Sequence, residues 1–192
     1  MTRHLDLGCG SRPRNPYRRD ELFGVDLSGD DSGNVRHANL ALQPIPFGDG
    51  EFDSVSAYDF FEHVPRVLST ADGQATRFPF VELMNEVWRV LRPGGLLYAS
   101  TPVYPHPAAF QDPTHVNFIT TGTHEYFTQP RLMAAMYGFH GRFIARRVQL
   151  ARATAESEYI PPPAGWWERW RLARRIRRGA CGHLVWEFEA VK

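Results

Sequence analysis

A run of strand-forming residues that stops at two glycines, Leu5-Asp6-Leu7-Gly8-Cys9-Gly10, constrains this chain more than any other feature, because Asp26 follows Gly10 by 16 positions. Asp26 ends a second apolar run, Phe23-Gly24-Val25-Asp26-Leu27. A strand, a glycine turn and a second strand tipped by an acid are how a doubly wound sheet builds a nucleoside pocket. Gly8 and Gly10 leave the gap through which backbone N–H groups approach a ligand. The Asp26 carboxylate is placed to accept two hydrogen bonds from a ribose diol. A dinucleotide site wants a third glycine at position 13, where a helix packs tightly and aims its N-terminus at a diphosphate. That position holds Pro13. The ligand expected is therefore an adenosyl group without a diphosphate.

Further motifs follow in order. They are Pro46-Phe47-Gly48-Asp49-Gly50-Glu51-Phe52-Asp53-Ser54-Val55, then Phe61-Glu62-His63-Val64, then Val90-Leu91-Arg92-Pro93-Gly94-Gly95-Leu96-Leu97. Together with the glycine turn and Asp26, these resemble the class I S-adenosylmethionine-dependent methyltransferases, in the small bacterial form of that Rossmann-like superfamily. The resemblance covers roughly residues 4 to 150 and, more loosely, the terminal strand. It implies an α/β fold, a doubly wound, mostly parallel seven-stranded sheet with an antiparallel C-terminal strand. It also implies S-adenosyl-L-methionine as cofactor. Gly8 and Gly10, with Asp6 and Cys9 beside them, would line its methionine part, Asp26 and Leu27 the ribose, and Asn39 with Leu40 the adenine. An acid often meets the exocyclic amine in this family; here the Asn39 amide oxygen would accept that bond. Tyr58 and Asp59 would face the methionine end.

With 192 residues and near-balanced charge (22 Lys+Arg, 21 Asp+Glu), the chain reads as one soluble domain spanning 1–192, with no large nucleic-acid surface. Cys9 and Cys181 are far apart, so a structural disulfide is not expected and a reducing cytoplasm fits. We expect no signal peptide and no N-terminal helical cap, and no apolar run approaches the ~20 residues that span a bilayer.

His4 to Leu7, Leu22 to Asp26, Phe52 to Tyr58 and Leu96 to Ser100 read as strands, and Phe80 to Leu91 as an amphipathic helix ended by Pro93-Gly94-Gly95. Only 11 residues, Ser11 to Glu21, join the first two strands, so the first helix is reduced to a turn or two. Arg12, Arg14, Arg18 and Arg19 there would cover that side of the cofactor, as a solvated loop or as an anion-binding edge. Thr128 and Pro130 start a helix that Gly138 ends. Arg142 to Leu150 and Leu184 to Val191 alternate like antiparallel partners.

Methyl transfer from a sulfonium needs an aligned acceptor above all. For a hydroxyl acceptor a base helps, and histidine suits neutral pH. His63, His106, His115 and His124 are the candidates. His115, in Asp112-Pro113-Thr114-His115-Val116-Asn117-Phe118, is the first choice, with His63 second. It sits in the loop 101–125 that covers the acceptor in such folds, and similar Asp-Pro-Thr-His segments accompany Glu-His in bacterial members of the family. No residue is assigned to a metal. As an alternative, Asp59, Glu62 and His63 at i, i+3 and i+4 would share a helix face and His115 would complete a mixed N/O set, similar to the metal site of methyltransferases that modify the 3′ end of small RNAs.

The insertion 158–179 carries Pro161-Pro162-Pro163, then Trp166, Trp167 and Trp170 among Arg169, Arg171, Arg174, Arg175, Arg177 and Arg178. It reads either as a helix packed over the body with snorkelling arginines or as an interfacial helix on an anionic membrane, which would place the protein at the inner membrane face. The function expected is methyl transfer to a small-molecule acceptor, an oxygen of a saccharide or lipid-linked glycan. The alternatives are a quinone or aromatic acceptor, or an S-adenosylmethionine-binding protein without transfer. The oligomeric state stays open.

Overall fold

Strand parity decides which side chains meet across this molecule. The computed structural model describes residues 1–29, 33–154 and 157–192. In β1 (Arg3–Leu7), Leu5 and Leu7 face one side of the sheet and His4 and Asp6 the other. β2 (Glu21–Asp26), β3 (Val35–His37) and β4 (Phe52–Tyr58) follow, then a two-stranded hairpin of β5 (Leu68–Ser69) and β6 (Thr76–Arg77). α1 (Pro79–Val90), β7 (Leu91–Pro102), β8 (Phe143–Ala151), α2 (Trp166–Arg177) and β9 (His183–Ala190) complete the chain. The main sheet runs β3-β2-β1-β4-β7-β9-β8, with β1 to β4 and β7 parallel and β9 antiparallel to both its neighbours. The strand order turns around between β1 and β4, and a ligand crevice opens beyond the carboxyl ends there.

The apolar face forms the core. Leu5, Leu7, Val55, Ala57, Leu97, Ala99, Trp186 and Phe188 pack in one buried cluster with Phe80, Leu83, Met84 and Val87 of α1. Those four repeat at helical spacing, which is why this segment is an amphipathic helix. The helix stops at Val90, and Leu91 is already extended. The Pro93-Gly94-Gly95 step lies inside β7 as an irregularity, because Phe52 pairs with Leu91 while Ser54 pairs with Leu96. Gly94 turns it with φ +74°, and Arg92 Nη1 fastens it to both Asp53 oxygens at 2.8 Å. The helix expected between Thr128 and Gly138 is reduced to one 3-10 segment, Met133–Tyr137. Leu132, at φ 47°, breaks any α-helical run there, although Gly138 does end the segment in the left-handed region.

The opposite face is polar. The turn or two of helix expected between β1 and β2 does not form, and residues 12–19 lie across the sheet instead. Arg14 stacks over Tyr58 at 4.4 Å, and Arg19 Nε donates to Ser54 Oγ at 3.3 Å. Beneath them a chain of hydrogen bonds runs through the sheet. Ser54 Oγ meets His4 Nδ1 at 2.7 Å, His4 Nε2 meets Ser56 Oγ at 2.8 Å, and Ser56 Oγ donates to Asp6 Oδ1 at 2.6 Å. Since the Ser56 hydrogen goes to Asp6, His4 Nε2 must carry the proton and Nδ1 must accept.

This chain sets a pH dependence. Burial holds His4 neutral down to about 3, with the Arg19 charge adding to the effect. Between its ordinary 6.5 and that value the unfolded chain binds a proton that the native state refuses, so His4 destabilises the fold as pH falls. Asp6 acts in the opposite sense. Burial, offset only in part by Ser56 and the Arg14 N–H, lifts it from 3.8 to about 7. Its stabilisation is present at low pH and lost as pH rises through that window, and the two effects largely cancel between about pH 4 and 6.5. Asp6→Asn leaves His4 unopposed. The variant is expected to lose about 2 kcal/mol between about pH 6.5 and 5, at ~1.4 kcal/mol per pH unit for one proton. Wild type should lose little. Urea unfolding at both values checks this, and equal losses in the two proteins would contradict it.

Candidate active site

The crevice at the strand-order reversal is a cleft of about 340 Å³. Gly8, Asp26, Leu27, Asn39, Leu40 and Asp59 line it, and so do Val25, Ala38, Ala41, Phe60, His63 and Val64. Gly8 has φ +63° and Gly10 φ +57°, the left-handed region that favours glycine. A Cβ on Gly8 would lie 2.4 Å from the Phe60 ring. Asp26 Oδ2 accepts from Gly10 N at 2.8 Å, and Oδ1 accepts from Ser28 N at 2.8 Å and Ser28 Oγ at 2.7 Å. These bonds hold its carboxyl below the usual range even though its partial burial works the other way. The turn and the acid are thus one preorganised unit, in which Oδ2 keeps lone-pair capacity for a ligand hydroxyl.

Pro13 occupies the ground of the missing third glycine. The room it needs is made across the way on β2, where a Cβ on Gly24 would meet Cys9 Sγ at 2.5 Å and Pro13 Cγ at 2.9 Å. Cys9 is therefore packed against β2, its Sγ donates to Gly10 O at 3.2 Å, and its thiol is pushed up to about 12 by burial and the Asp6 and Asp26 charges. It braces the turn.

Of the expected cofactor residues, Asp6, Cys9, Gly10 and Tyr58 do not line the cleft. Asp6 is buried behind the turn, where Oδ2 accepts from Arg14 N at 2.8 Å, so it shapes the turn from beneath. Tyr58 has the parity of the polar face; its hydroxyl donates to the Glu158 carbonyl and burial raises it, so only its neighbours Asp59 and Phe60 reach the cleft. Asn39 does line the cleft, but its Oδ1 accepts from Ala41 N at 3.1 Å within its own turn.

The histidines separate into two kinds. His106 Nδ1 accepts from Ala108 N at 3.1 Å and packs where a Cβ on Gly182 would sit, and His124 Nδ1 bonds Thr121 O at 2.8 Å; both brace loops. His63 and His115 instead stand together, ring centroids 4.8 Å apart. They are joined because the 3-10 turn Phe61–His63 and the segment 112–118 are stitched to each other. Val116 N and Asn117 N both donate to Glu62 O at 2.9 Å, and Asn117 Nδ2 donates to Phe61 O at 3.0 Å. Two motifs more than 50 positions apart thus form one site. Glu62, 2% exposed, accepts from Thr101 Oγ1 at 3.0 Å, and its Oε1 is 3.9 Å from His115 Nε2. Burial pushes its carboxyl up to about 7.

The helix expected to align Asp59 with Glu62 and His63 does not form; Asp59 has φ 45° and only Phe61–His63 is helical. Asp59 Oδ1 pairs instead with His183 Nε2 at 2.9 Å. His183 went unread because its neighbourhood depends on the antiparallel register Pro102↔His183. Phe60 could have been found from parity, as the first residue past β4 able to turn over Gly8.

Residues 5–99 match the family model of a methyltransferase domain. The chain belongs to the class I S-adenosylmethionine-dependent methyltransferases. This methyltransferase shares its fold with an S-adenosylmethionine-dependent methyltransferase from Mesorhizobium loti (17% identity, TM-score 0.52), over 97% of this chain and 90% of that one. It is similar to a SAM-dependent methyltransferase from Archaeoglobus fulgidus (15%, TM-score 0.53), over 100% of this chain and 86% of that one. It is also similar to geranyl diphosphate C-methyltransferase from Streptomyces coelicolor A3(2), solved with Mg2+, geranyl diphosphate and S-adenosyl-L-homocysteine (15%, TM-score 0.54; 100% and 74%). No curated protein sequence matches the chain. This methyltransferase is an S-adenosylmethionine-dependent enzyme, and a cradle that a single Cβ would fill at Gly8 suits close backbone approach to that cofactor.

Proposed function

We propose that this methyltransferase, acting as one domain over its whole length, methylates an oxygen of a saccharide or lipid-linked glycan in the space between the cofactor cleft and His115. The observation that carries the reading is the position of His63, which lines the cleft and also faces His115 across 4.8 Å. Gly8 and Gly10 would cradle the methionine part, Asp26 and Leu27 the ribose, and Asn39 and Leu40 the adenine. Bound there, S-adenosylmethionine supplies a methyl group that the acceptor oxygen displaces in line, an O–C bond forming as the S–C bond breaks and its electron pair stays on sulfur. His115 Nδ1 bonds the Ala109 carbonyl at 3.3 Å, so Nδ1 carries the hydrogen and Nε2 presents a lone pair. An acceptor hydroxyl donating to Nε2 would leave its proton there, with the buried Glu62 carboxyl beside it. His63 would align the acceptor against the cleft.

The acceptor class is supported by a second cleft of about 470 Å³ that begins at Asn117 and includes Phe78, Phe118, Tyr126 and Tyr137. Such partly exposed rings stack on sugar faces. Its mostly apolar wall equally favours the second reading, a quinone or other aromatic acceptor. Release of S-adenosylhomocysteine with a panel of glycans, lipid-linked sugars and quinols tests both. Cofactor binding with no release across the panel would support a binder that does not transfer.

The geometry of α2 extends this reading to a membrane surface. None of its residues is buried, which favours the interfacial reading over a helix packed on the body. Trp166 is 67% exposed, Trp167 57% and Trp170 44%, on a 12-residue helix with five arginines and one glutamate. Aromatic anchors on a basic helix match an anionic bilayer interface. Among the described residues no helix is long and apolar enough to cross a membrane, so the contact proposed is peripheral, at the inner face from the cytoplasm. Wild type should co-sediment with vesicles of mixed neutral and anionic phospholipid, and Trp166→Ala/Trp170→Ala should bind at least ~10-fold more weakly. Equal sedimentation of the two proteins, or none, would retire this contact.

A further inference from the structure

We infer that Glu62, His63 and His115 hold a divalent transition-metal ion beside the cofactor cleft. One donor atom from each of the three lies within 4.8 Å of the other two. Ligands ~2.1 Å from a single ion stand roughly 3.4 Å apart, so small side-chain rotations close the set.

The hydrogen-bond network fixes which atoms are free. Thr114 Oγ1 gives its only hydrogen to Asp112 Oδ1 at 2.7 Å, so its 2.9 Å contact with His63 Nδ1 must be accepted from that nitrogen. The Ala109 carbonyl takes the hydrogen of His115 Nδ1. Both rings therefore present Nε2 without a proton. A metal-binding histidine donates its other N–H to such an acceptor, which orients the ring and raises its basicity. Here both histidines do so.

Glu62 supplies the second, independent observation. Its Oε2 is satisfied by Thr101, but its Oε1 is buried, 3.9 Å from His115 Nε2, and has no hydrogen-bond partner among the described residues. Buried polar atoms are rarely left so. A cation held between Oε1, His115 Nε2 and a nitrogen of His63 resolves it.

Two imidazoles and one carboxylate suit zinc, iron(II) or manganese, rather than the all-oxygen shells of magnesium and calcium. Three protein donors leave at least one position open, as in catalytic sites. Asp59, paired with His183, takes no part. The inference deepens the acceptor reading and rests on it: an acceptor hydroxyl then meets the ion, and His115 contributes as a ligand rather than as the base itself.

The test uses the full chain purified without a histidine tag. Elemental analysis should find about one equivalent of zinc, iron or manganese. After EDTA treatment, Zn2+ or Mn2+ should raise the melting midpoint of wild type, with Mg2+ giving much less. His63→Ala and His115→Ala should lose this response, His115→Ala while still binding S-adenosylhomocysteine, and Glu62→Gln and His115→Gln provide conservative second variants checked for folding by circular dichroism. Absence of stoichiometric metal together with no shift from Zn2+ or Mn2+ would overturn the inference. So would an equal shift in wild type and the folded variants. Metal binding in a protein that fails to bind S-adenosylhomocysteine would uphold the ion and overturn the cofactor and acceptor reading.

Discussion

Gly8→Ala is expected to weaken S-adenosylhomocysteine binding by about 100-fold or more, while Gly10→Ala weakens it by about 5- to 30-fold. Both positions lie in the left-handed region, at φ +63° and +57°, where an added Cβ costs ~1–2 kcal/mol. They differ in surroundings. The Gly8 Cβ would meet the Phe60 ring at 2.4 and 2.6 Å, whereas the Gly10 Cβ would meet nothing within 4 Å. Relieving the first contact means driving Phe60 into the cleft or opening the turn, for a further ~1–3 kcal/mol. A sum near ~3 kcal/mol corresponds to about 100-fold. Calorimetric titration of both variants checks the ranking. Equal losses at the two positions would show that Phe60 does not wall the site and that only backbone strain is being read.

His115→Ala is expected to lower kcat by about 100- to 10,000-fold, the range for removing a positioned proton acceptor, with S-adenosylhomocysteine affinity changed less than about 3-fold. The split follows from placement. Neither His115 nor its loop lines the cofactor cleft, while His63 does, so His115 reaches the reaction only through the acceptor. The loop is held by the backbone bonds of Val116 and Asn117 to Glu62, which do not involve the imidazole, so it keeps its path when the imidazole is removed. Single-turnover rates with the acceptor found in the panel measure the effect. Retention of most of the rate would remove His115 from the chemistry, as base and as ligand alike.

The parts of this fold legible in the sequence are those where the backbone itself makes a demand. Gly8 and Gly10 need positive φ, Asp26 ends a strand beside them, and the helix stripe Phe80, Met84 and Val87 repeats every turn. Side-chain direction was less legible. Asp6 and Tyr58 sit in motifs at the right positions along the chain, but both face the polar side with His4, and the alternation of Leu5 and Leu7 already contained that information. The Asn39 amide is taken by a local turn to Ala41, an alternative open to any asparagine in a loop. The pairing of Asp59 with His183 depends on a register between β7 and β9 that no local pattern states. For α2, the same Trp and Arg spacing fits a packed helix or a free one, and only the surroundings decide.

The account stands on the glycine turn and Asp26 forming an adenosyl site. Titration of wild-type protein with S-adenosylmethionine and S-adenosylhomocysteine by calorimetry tests that claim most directly. The prediction is saturable binding of both at about one equivalent per chain, each competing with the other. No detectable heat from either ligand, in protein shown to be folded, would contradict it.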